Sequence, residues 1–221
     1  MEPDRLAAMR ASYQRAGLDL ADLAPDPIQQ FAAWLTAAAE LPEPNAMILA
    51  TADGSGRPNA RTVLLKGYGP AGLLFFTNYG SRKARELAVN PWATLLFPWH
   101  SIGRQVIASG PVAKISAAES AAYFASRPFD SQIGAWASRQ STVVGSRAEL
   151  DERYRELIER WPAGTAIPAP DFWGGYRLVP DTVEFWQGRT GRMHDRLRYR
   201  RPDPDDPDGA DRPWIVERLA P

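Results

Sequence analysis

Short apolar runs rich in β-branched and aromatic residues are interleaved along this chain with stretches whose apolar positions recur every three to four residues. The runs at 47–51, 61–66, 73–77, 93–97 and 104–115 predict strands. In the last of these, Gly110-Pro111 marks a bulge or bend, because proline cannot donate to a ladder. A strand over 177–187 is broken by Pro180-Asp181. Strands at 196–200 and 214–219 form a terminal hairpin around a polar, proline-rich loop, 201–212. Leu6, Met9 and Tyr13 have the spacing of a weak helix over 3–16. Asp26 as N-cap and Pro27 at the first helical position open a second helix, with Phe31, Trp34, Leu35 and Ala38 along one face. Ser81 caps a third, which stops before Asn90-Pro91 because the residue before a proline is pushed out of the helical region. Ser116 with Glu119 and Ser146 with Glu149 are capping boxes for helices reaching about Ser126 and Trp161. The connector 130–141 contains glycine and serine and shows little periodicity.

Six or seven strands in paired runs, with helices inserted, predict an antiparallel barrel with helical additions. Strict β–α alternation is missing, which argues against a doubly wound sheet. Composition narrows the function. Lysines and arginines number 26 against 26 aspartates and glutamates, which removes the electrostatic argument for nucleic acid or an anionic membrane surface. There is no cysteine, so neither a disulfide framework nor a thiolate metal site. No apolar run approaches the ~18 residues of a membrane span, and the N-terminus lacks a signal-peptide core. A soluble cytoplasmic protein is the expectation.

The chemistry concentrates in two places. The first is 61–91, which reads as strand, turn, strand and helix start. A helix N-terminus carries partial positive charge and favours acidic residues, yet its first two residues here are Arg82 and Lys83. Two cations and free backbone N–H groups there suit a phosphate; the alternative is a pair of solvated surface cations. The second is EFWQGRTGRMHDR (184–196), where Trp186 supplies a flat apolar wall. Arg192, His194 and Arg196 alternate in period two, so on a strand all three would share a face; the alternative is a solvated edge strand. With only two histidines, His100 and His194, a multi-histidine metal site is excluded. No GxSxG elbow and no GxGxxG after a strand is present. Cations scattered beside amides, hydroxyls and aromatics suggest one or two phosphorylated ligands.

The runs RTVLLK (61–66), FFTNYGSRKARELAVNP (75–91), LLFPWHSIGRQV (95–106), YFASRP (123–128), DSQIGAWASRQS (130–141), FWGGYR (172–177), EFWQG (184–188), RMHDR (192–196) and the terminal ERLAP resemble the pyridoxine/pyridoxamine 5′-phosphate oxidase family, in order and over nearly the whole chain from about Arg10. The resemblance implies an α+β, FMN-binding split β-barrel of antiparallel Greek-key type, spanning 26–221 as one domain behind an N-terminal segment, 1–25, that could act as a lid. It implies a homodimer with two FMN sites at the subunit interface, and oxidation of the B6 phosphates by oxygen with release of hydrogen peroxide. Carried over by position, the FMN site comprises Arg61, Thr62, Val63, Leu64, Leu65, Lys66, Phe76, Thr77, Arg82, Lys83, Gln105, Gln140, Ser141, Trp186 and Arg196. Lys66, Tyr123, Arg127 and Ser131 would surround the substrate phosphate. Arg192 and His194 would lie over the pyridine ring as the catalytic pair, with Arg10 and Tyr13 as possible lid residues. At Phe76 relatives often carry tyrosine; a lost hydroxyl contact would cost roughly 0.5–1.5 kcal/mol.

A flavin reductase or a deazaflavin-dependent enzyme on the same barrel would account for the cation-bearing hairpin but not for RMHDR and SRQS. A flavin-binding or storage protein without turnover is the rival from another class, and a nucleic-acid-binding barrel fits the neutral charge poorly. Without the resemblance, Arg127 reads as a cation capping the C-terminus of its own helix.

Overall fold

The computed structural model describes residues 17–202 and 213–221. The expected helix over 3–16 and most of the loop 201–212 lie outside these residues. Ten strands form one antiparallel sheet: β1 (Ala46–Ala52), β2 (Pro58–Leu64), β3 (Gly67–Gly69), β4 (Gly72–Asn78), β5 (Trp92–Phe97), β6 (Arg104–Lys114), β7 (Trp173–Leu178), β8 (Thr182–Gln187), β9 (Asp195–Arg200) and β10 (Ile215–Leu219). Five α-helices are present among the described residues: α1 (Pro27–Ala37), α2 (Arg82–Val89), α3 (Ala117–Ala125), α4 (Phe129–Ala137) and α5 (Arg147–Arg160). The hydrogen-bonded order is β10-β9-β8-β6-β5-β1-β2, with β3, β4 and β7 joined to it through β6. No helix among the described residues is long and apolar enough to cross a membrane.

The chain divides into two compact units. One contains Met1–Ile48, Leu95–Ser109 and Asp181–Pro221; the other contains Leu49–Thr94 and Gly110–Pro180. The first unit is built on β6, β8, β9 and β10. Its core is aromatic: Phe31 packs 4.9 Å from Phe97, and Trp34 meets Phe185 edge-on at 5.1 Å. α1 starts as its sequence dictates, with the Asp26 carboxylate accepting from the N–H groups of Ile28 and Gln29 and Pro27 just inside.

The second unit carries the β3–β4 hairpin, β7 and the helices α2 to α5. Gly110-Pro111 proves to be the point where β6 changes partner, from β8 over 104–109 to β7 over 112–114. The Ser116–Glu119 box forms in full. At α5 only half forms: Ser146 accepts from the Glu149 N–H, while the Glu149 carboxylate accepts from Gly145. The connector 130–141 is not irregular, since most of it is α4. That helix buries Ile133 and Ala137, and with only two buried positions among small residues it leaves little periodicity to detect. Phe124, Ile133, Trp161, Ile167 and Trp173 form this unit's helical core.

Candidate active site

A cavity of about 440 Å³ opens in the second unit. Thr62, Val63 and Leu64 at the end of β2, and Lys66 beyond it, form one wall; Phe76, Thr77 and Asn78 of β4 and Lys83 of α2 form another. Tyr123, Arg127, Ser131, Gly134, Ala135, Ser138, Gln140 and Trp173 complete the lining. Eleven of the positions expected to bind ligand therefore share one cavity, although they are spread from Thr62 to Gln140.

At its cationic end, Ser81 occupies the N-cap position of α2 but makes no side-chain cap hydrogen bond. The first-turn N–H groups lack that partner, as an anion site requires. Lys83 is only 7% exposed. Its ammonium donates to Gln140 Oε1 at 2.8 Å and Thr77 Oγ1 at 3.1 Å, with Ser81 Oγ at 3.5 Å. All three partners are neutral. Burial and the neighbouring charge of Arg61 lower its pKa to about 8, against a partial restoring effect of Glu86.

Arg82 behaves differently from its neighbour. Its Nε donates to Glu86 at 2.8 Å, one turn along α2, and Arg61 Nη2 reaches the same carboxylate at 3.0 Å. The clash between two cations and the helix dipole is thus met, for Arg82, by a carboxylate of the helix itself. Burial pushes the Glu86 pKa upward, but hydrogen bonds from Thr51, Asn59, Arg82 and Arg61 outweigh it and hold it at about 2. The fork of Arg61 also donates to Leu49 O and Thr51 Oγ1, so Arg61 sits in this cluster, outside the cavity lining.

At the other end the rings of Phe76 and Tyr123 stack at 3.9 Å, and Phe76 stacks on Trp173 at 5.2 Å. Arg127 lies over this group, its guanidinium carbon 4.7 Å from the Trp173 ring, and burial lowers its pKa. Its Nη1 is buried with no hydrogen-bond partner. The cross-strand partner of Phe76 is Gly175. A Cβ there would fall 3.0 Å from the Phe76 ring and 2.5 Å from Ile115, which is why the FWGGYR run needs glycine at this point.

Gln105, Trp186, Arg192, His194 and Arg196 belong to the other unit and gather separately, while Leu65 is buried in the second unit, outside the cavity lining. Gln105, Trp186 and Arg196 are paired directly across β6, β8 and β9, a row on one face. Arg196 is held bidentately by Glu184 at 2.8 and 3.0 Å. The expectation that Arg192, His194 and Arg196 alternate on a strand is corrected. Gly191 and Arg192 have φ of 64° and 62°, a left-handed turn, and β9 begins only at Asp195. His194 packs against Trp186 at 4.6 Å, and its Nδ1 accepts from the Arg189 N–H at 3.1 Å. Ser141 has φ 69° and does not line the cavity. Arg10 and Tyr13 lie outside the described residues. Sequence reasoning did not single out Trp173, Asn78 or the Glu86 cluster. Glu86 was legible as the i+4 partner of Arg82, whereas the roles of Trp173 and Asn78 depend on strand pairing.

Two family models match the chain: pyridoxamine 5′-phosphate oxidase over residues 35–160, and the pyridoxine 5′-phosphate oxidase C-terminal dimerisation region over 173–221. The chain is 56% identical over 219 residues to the pyridoxine/pyridoxamine 5′-phosphate oxidase of Frankia alni, covering 97% of this chain and 88% of that one. It is likewise 56% identical to the one from Burkholderia multivorans, over 98% and 99% of the two chains. Among solved structures, PhzG from Burkholderia lata in complex with tetrahydrophenazine-1-carboxylic acid superposes with a TM-score of 0.84 at 32% identity, covering 96% and 100% of the two chains. A pyridoxamine 5′-phosphate oxidase-related, FMN-binding protein from Nostoc punctiforme shares the fold, with a TM-score of 0.68 at 20% identity over 90% and 100%. Fold and matches together define an FMN-dependent oxidoreductase on a split-barrel scaffold. Within that class, the chain belongs to the pyridoxine/pyridoxamine 5′-phosphate oxidase family.

Proposed function

We propose that this chain oxidises pyridoxine 5′-phosphate and pyridoxamine 5′-phosphate to pyridoxal 5′-phosphate, with FMN as cofactor and oxygen as the final acceptor, reduced to hydrogen peroxide. The observation that carries the proposal is a buried and a half-buried cation in one cavity, whose third lining cation, Lys66, is exposed. Lys83 and Arg127 both line it, and neither has a carboxylate partner among the described residues. Two such cations fit two phosphorylated ligands, a cofactor and a substrate. Relatives above 50% identity carry the B6 oxidase name, against 32% for the phenazine-bound PhzG, which favours the B6 phosphates as substrates.

The residues suit FMN. Lys83, Thr77, Gln140 and the uncapped turn of α2 would receive its phosphate. The Gln105–Trp186–Arg196 row would serve the same cofactor from whichever subunit of a homodimer supplies it, and the match to a dimerisation region supports that assembly. When bound, FMN supplies the acceptor for a hydride leaving the substrate C4′ carbon. The chain's own task is placement. Arg127, with Ser131 and Tyr123, would grip the substrate phosphate, a remote handle whose binding energy fixes the reacting carbon. Arg192 and His194 would orient the pyridine ring. With Nδ1 already accepting, neutral His194 carries its proton on Nε2. Residues 1–25 would close over the ring as a lid.

The test is the absorption spectrum of the purified protein, followed by peroxide release with pyridoxamine 5′-phosphate. A yellow protein that turns over the phosphorylated amine supports the reading. A flavin-loaded protein that releases no peroxide and forms no aldehyde would make it a flavin-binding protein instead.

A further inference from the structure

Glu86 has no role in the chemistry described so far, yet it is the most heavily engaged carboxylate of the second unit. It is 5% exposed. Four donors converge on it: the Thr51 hydroxyl and Arg61 Nη2 on Oε2, and Asn59 Nδ2 and Arg82 Nε on Oε1. A carboxylate offers about four lone-pair sites, so its capacity is used in full.

How it grips matters more than how many donors it has. Arg82 is taken by Nε alone. Neither terminal nitrogen of that fork makes a hydrogen bond among the described residues, and Arg82 is itself the first residue of α2, whose N-cap side chain makes no capping bond. A guanidinium presenting its terminal edge is the geometry that meets a phosphate bidentately. Without the i,i+4 contact, Arg82, with a side chain 56% exposed, would sample many rotamers. Arg61 is fixed by the same carboxylate from β2.

We propose that Glu86 is a positioning residue of the anion site. It holds Arg82 and Arg61 at the N-terminus of α2 so that Arg82 turns its terminal nitrogens to a phosphate. The inference rests on the reading of this helix end as the flavin phosphate site. The competing role is purely architectural, pinning β1 and β2 to α2.

Comparing FMN with riboflavin separates the two, because riboflavin lacks only the phosphate. The full-length chain is stripped of flavin and titrated with each by fluorescence. Glu86→Met, similar in length but with no acceptor oxygen, should weaken FMN by at least about tenfold and leave riboflavin within about twofold. Glu86→Gln keeps an oxygen for Arg82 Nε and should recover most of the loss. Equal losses for both flavins, or a lowered melting temperature with FMN affinity unchanged, would reduce Glu86 to an architectural residue. A glutamine variant as weak as the methionine one would also overturn the proposal, since charge and not placement would then matter. Lys83→Ala is the control for the underlying reading. If it alone lowers the FMN-to-riboflavin ratio, only the Glu86 inference fails; if it leaves the ratio unchanged, the helix end is not the phosphate site. Should the methionine variant not fold, Arg82→Lys keeps the charge and removes the fork, and the same FMN-specific loss of about tenfold is expected; no loss there overturns the proposal equally.

Discussion

Arg127 and Trp173 form a cation–π pair in which the arginine's remaining capacity is left open: the guanidinium carbon is 4.7 Å from the ring, and Nη1 is buried without a partner. The sequence alone favoured a helix-capping cation here. The structure separates the two roles. The backbone N–H of Arg127 closes the turn onto Phe124 O, while the side chain turns away to line the cavity with Tyr123 and Ser131. A buried donor left unsatisfied is costly, so its persistence is best explained by a partner that arrives from outside.

Arg127→Ala should therefore leave fold and flavin content intact and raise KM for pyridoxamine 5′-phosphate. The expected loss in kcat/KM is roughly 1.5–3 kcal/mol, about ten- to a hundredfold. Activity on unphosphorylated pyridoxamine should hardly change. Steady-state kinetics on both substrates, with flavin occupancy measured in parallel, decides it; equal losses on both would remove Arg127 from the phosphate site.

Gly175→Ala tests the aromatic wall. The added methyl meets Phe76 and Ile115 at 3.0 and 2.5 Å, so the Phe76 ring and the Tyr123 ring stacked on it must shift. Overpacking of this kind costs about 1–3 kcal/mol. Thermal unfolding should show that loss, and the KM for the phosphorylated substrate should rise with it, since Tyr123 and Arg127 share the wall. An alanine variant as stable as the parent would mean that Ile115 yields alone.

The local signals were legible where each element carries its own grammar. Asp26-Pro27, Ser116–Glu119 and the break at Pro180-Asp181 were readable from neighbouring residues, whereas Gly110-Pro111 read only as a bulge or bend and is a change of strand partner. The failures differ in cause, one distant in the chain and one local. α4 has too few apolar positions to show a period, and it is helical because Ile133 and Ala137 find the Phe124–Trp161–Trp173 core. The period-two reading of 192–196 failed because Gly191 and Arg192 turn left-handed before β9 starts. Glu86 answers Arg82, while Lys83 keeps only neutral partners.

His194 gives a prediction that needs no turnover. The Arg189 N–H donates to Nδ1, so the neutral ring must carry its proton on Nε2. With only two histidines in the chain, ¹⁵N chemical shifts can be assigned using His100→Asn as reference. In its neutral form His194 should show an unprotonated, hydrogen-bonded Nδ1 and a protonated Nε2. The opposite tautomer would leave Nε2 unprotonated and make His194 a candidate base for the alcohol proton.

A phosphate bound at Lys83 would make FMN affinity depend on pH. The Lys83 pKa is lowered from the ordinary 10.5 to about 8 in the folded chain, chiefly by burial and then by Arg61. Between those values the unfolded chain holds more protons than the folded one, so this group's contribution makes the flavin-free protein more stable as pH rises through the window. Binding runs the other way. A phosphate beside Lys83 favours the ammonium, so above pH 8 association must take up a proton, and FMN affinity should fall by up to about tenfold per pH unit from there until the bound-state pKa is reached. Lys83→Arg keeps a charge that does not titrate in this range, so its FMN affinity should be flat from pH 7 to 9.5 whatever its absolute value. Lys83→Ala should be flat as well, and weaker by roughly 1.5–3 kcal/mol. Riboflavin, with no phosphate, should show none of this slope with the parent chain. Fluorescence titrations of both flavins across that pH range test every arm. A parent chain whose FMN affinity does not change between pH 7 and 9.5 would show that the phosphate binds away from Lys83.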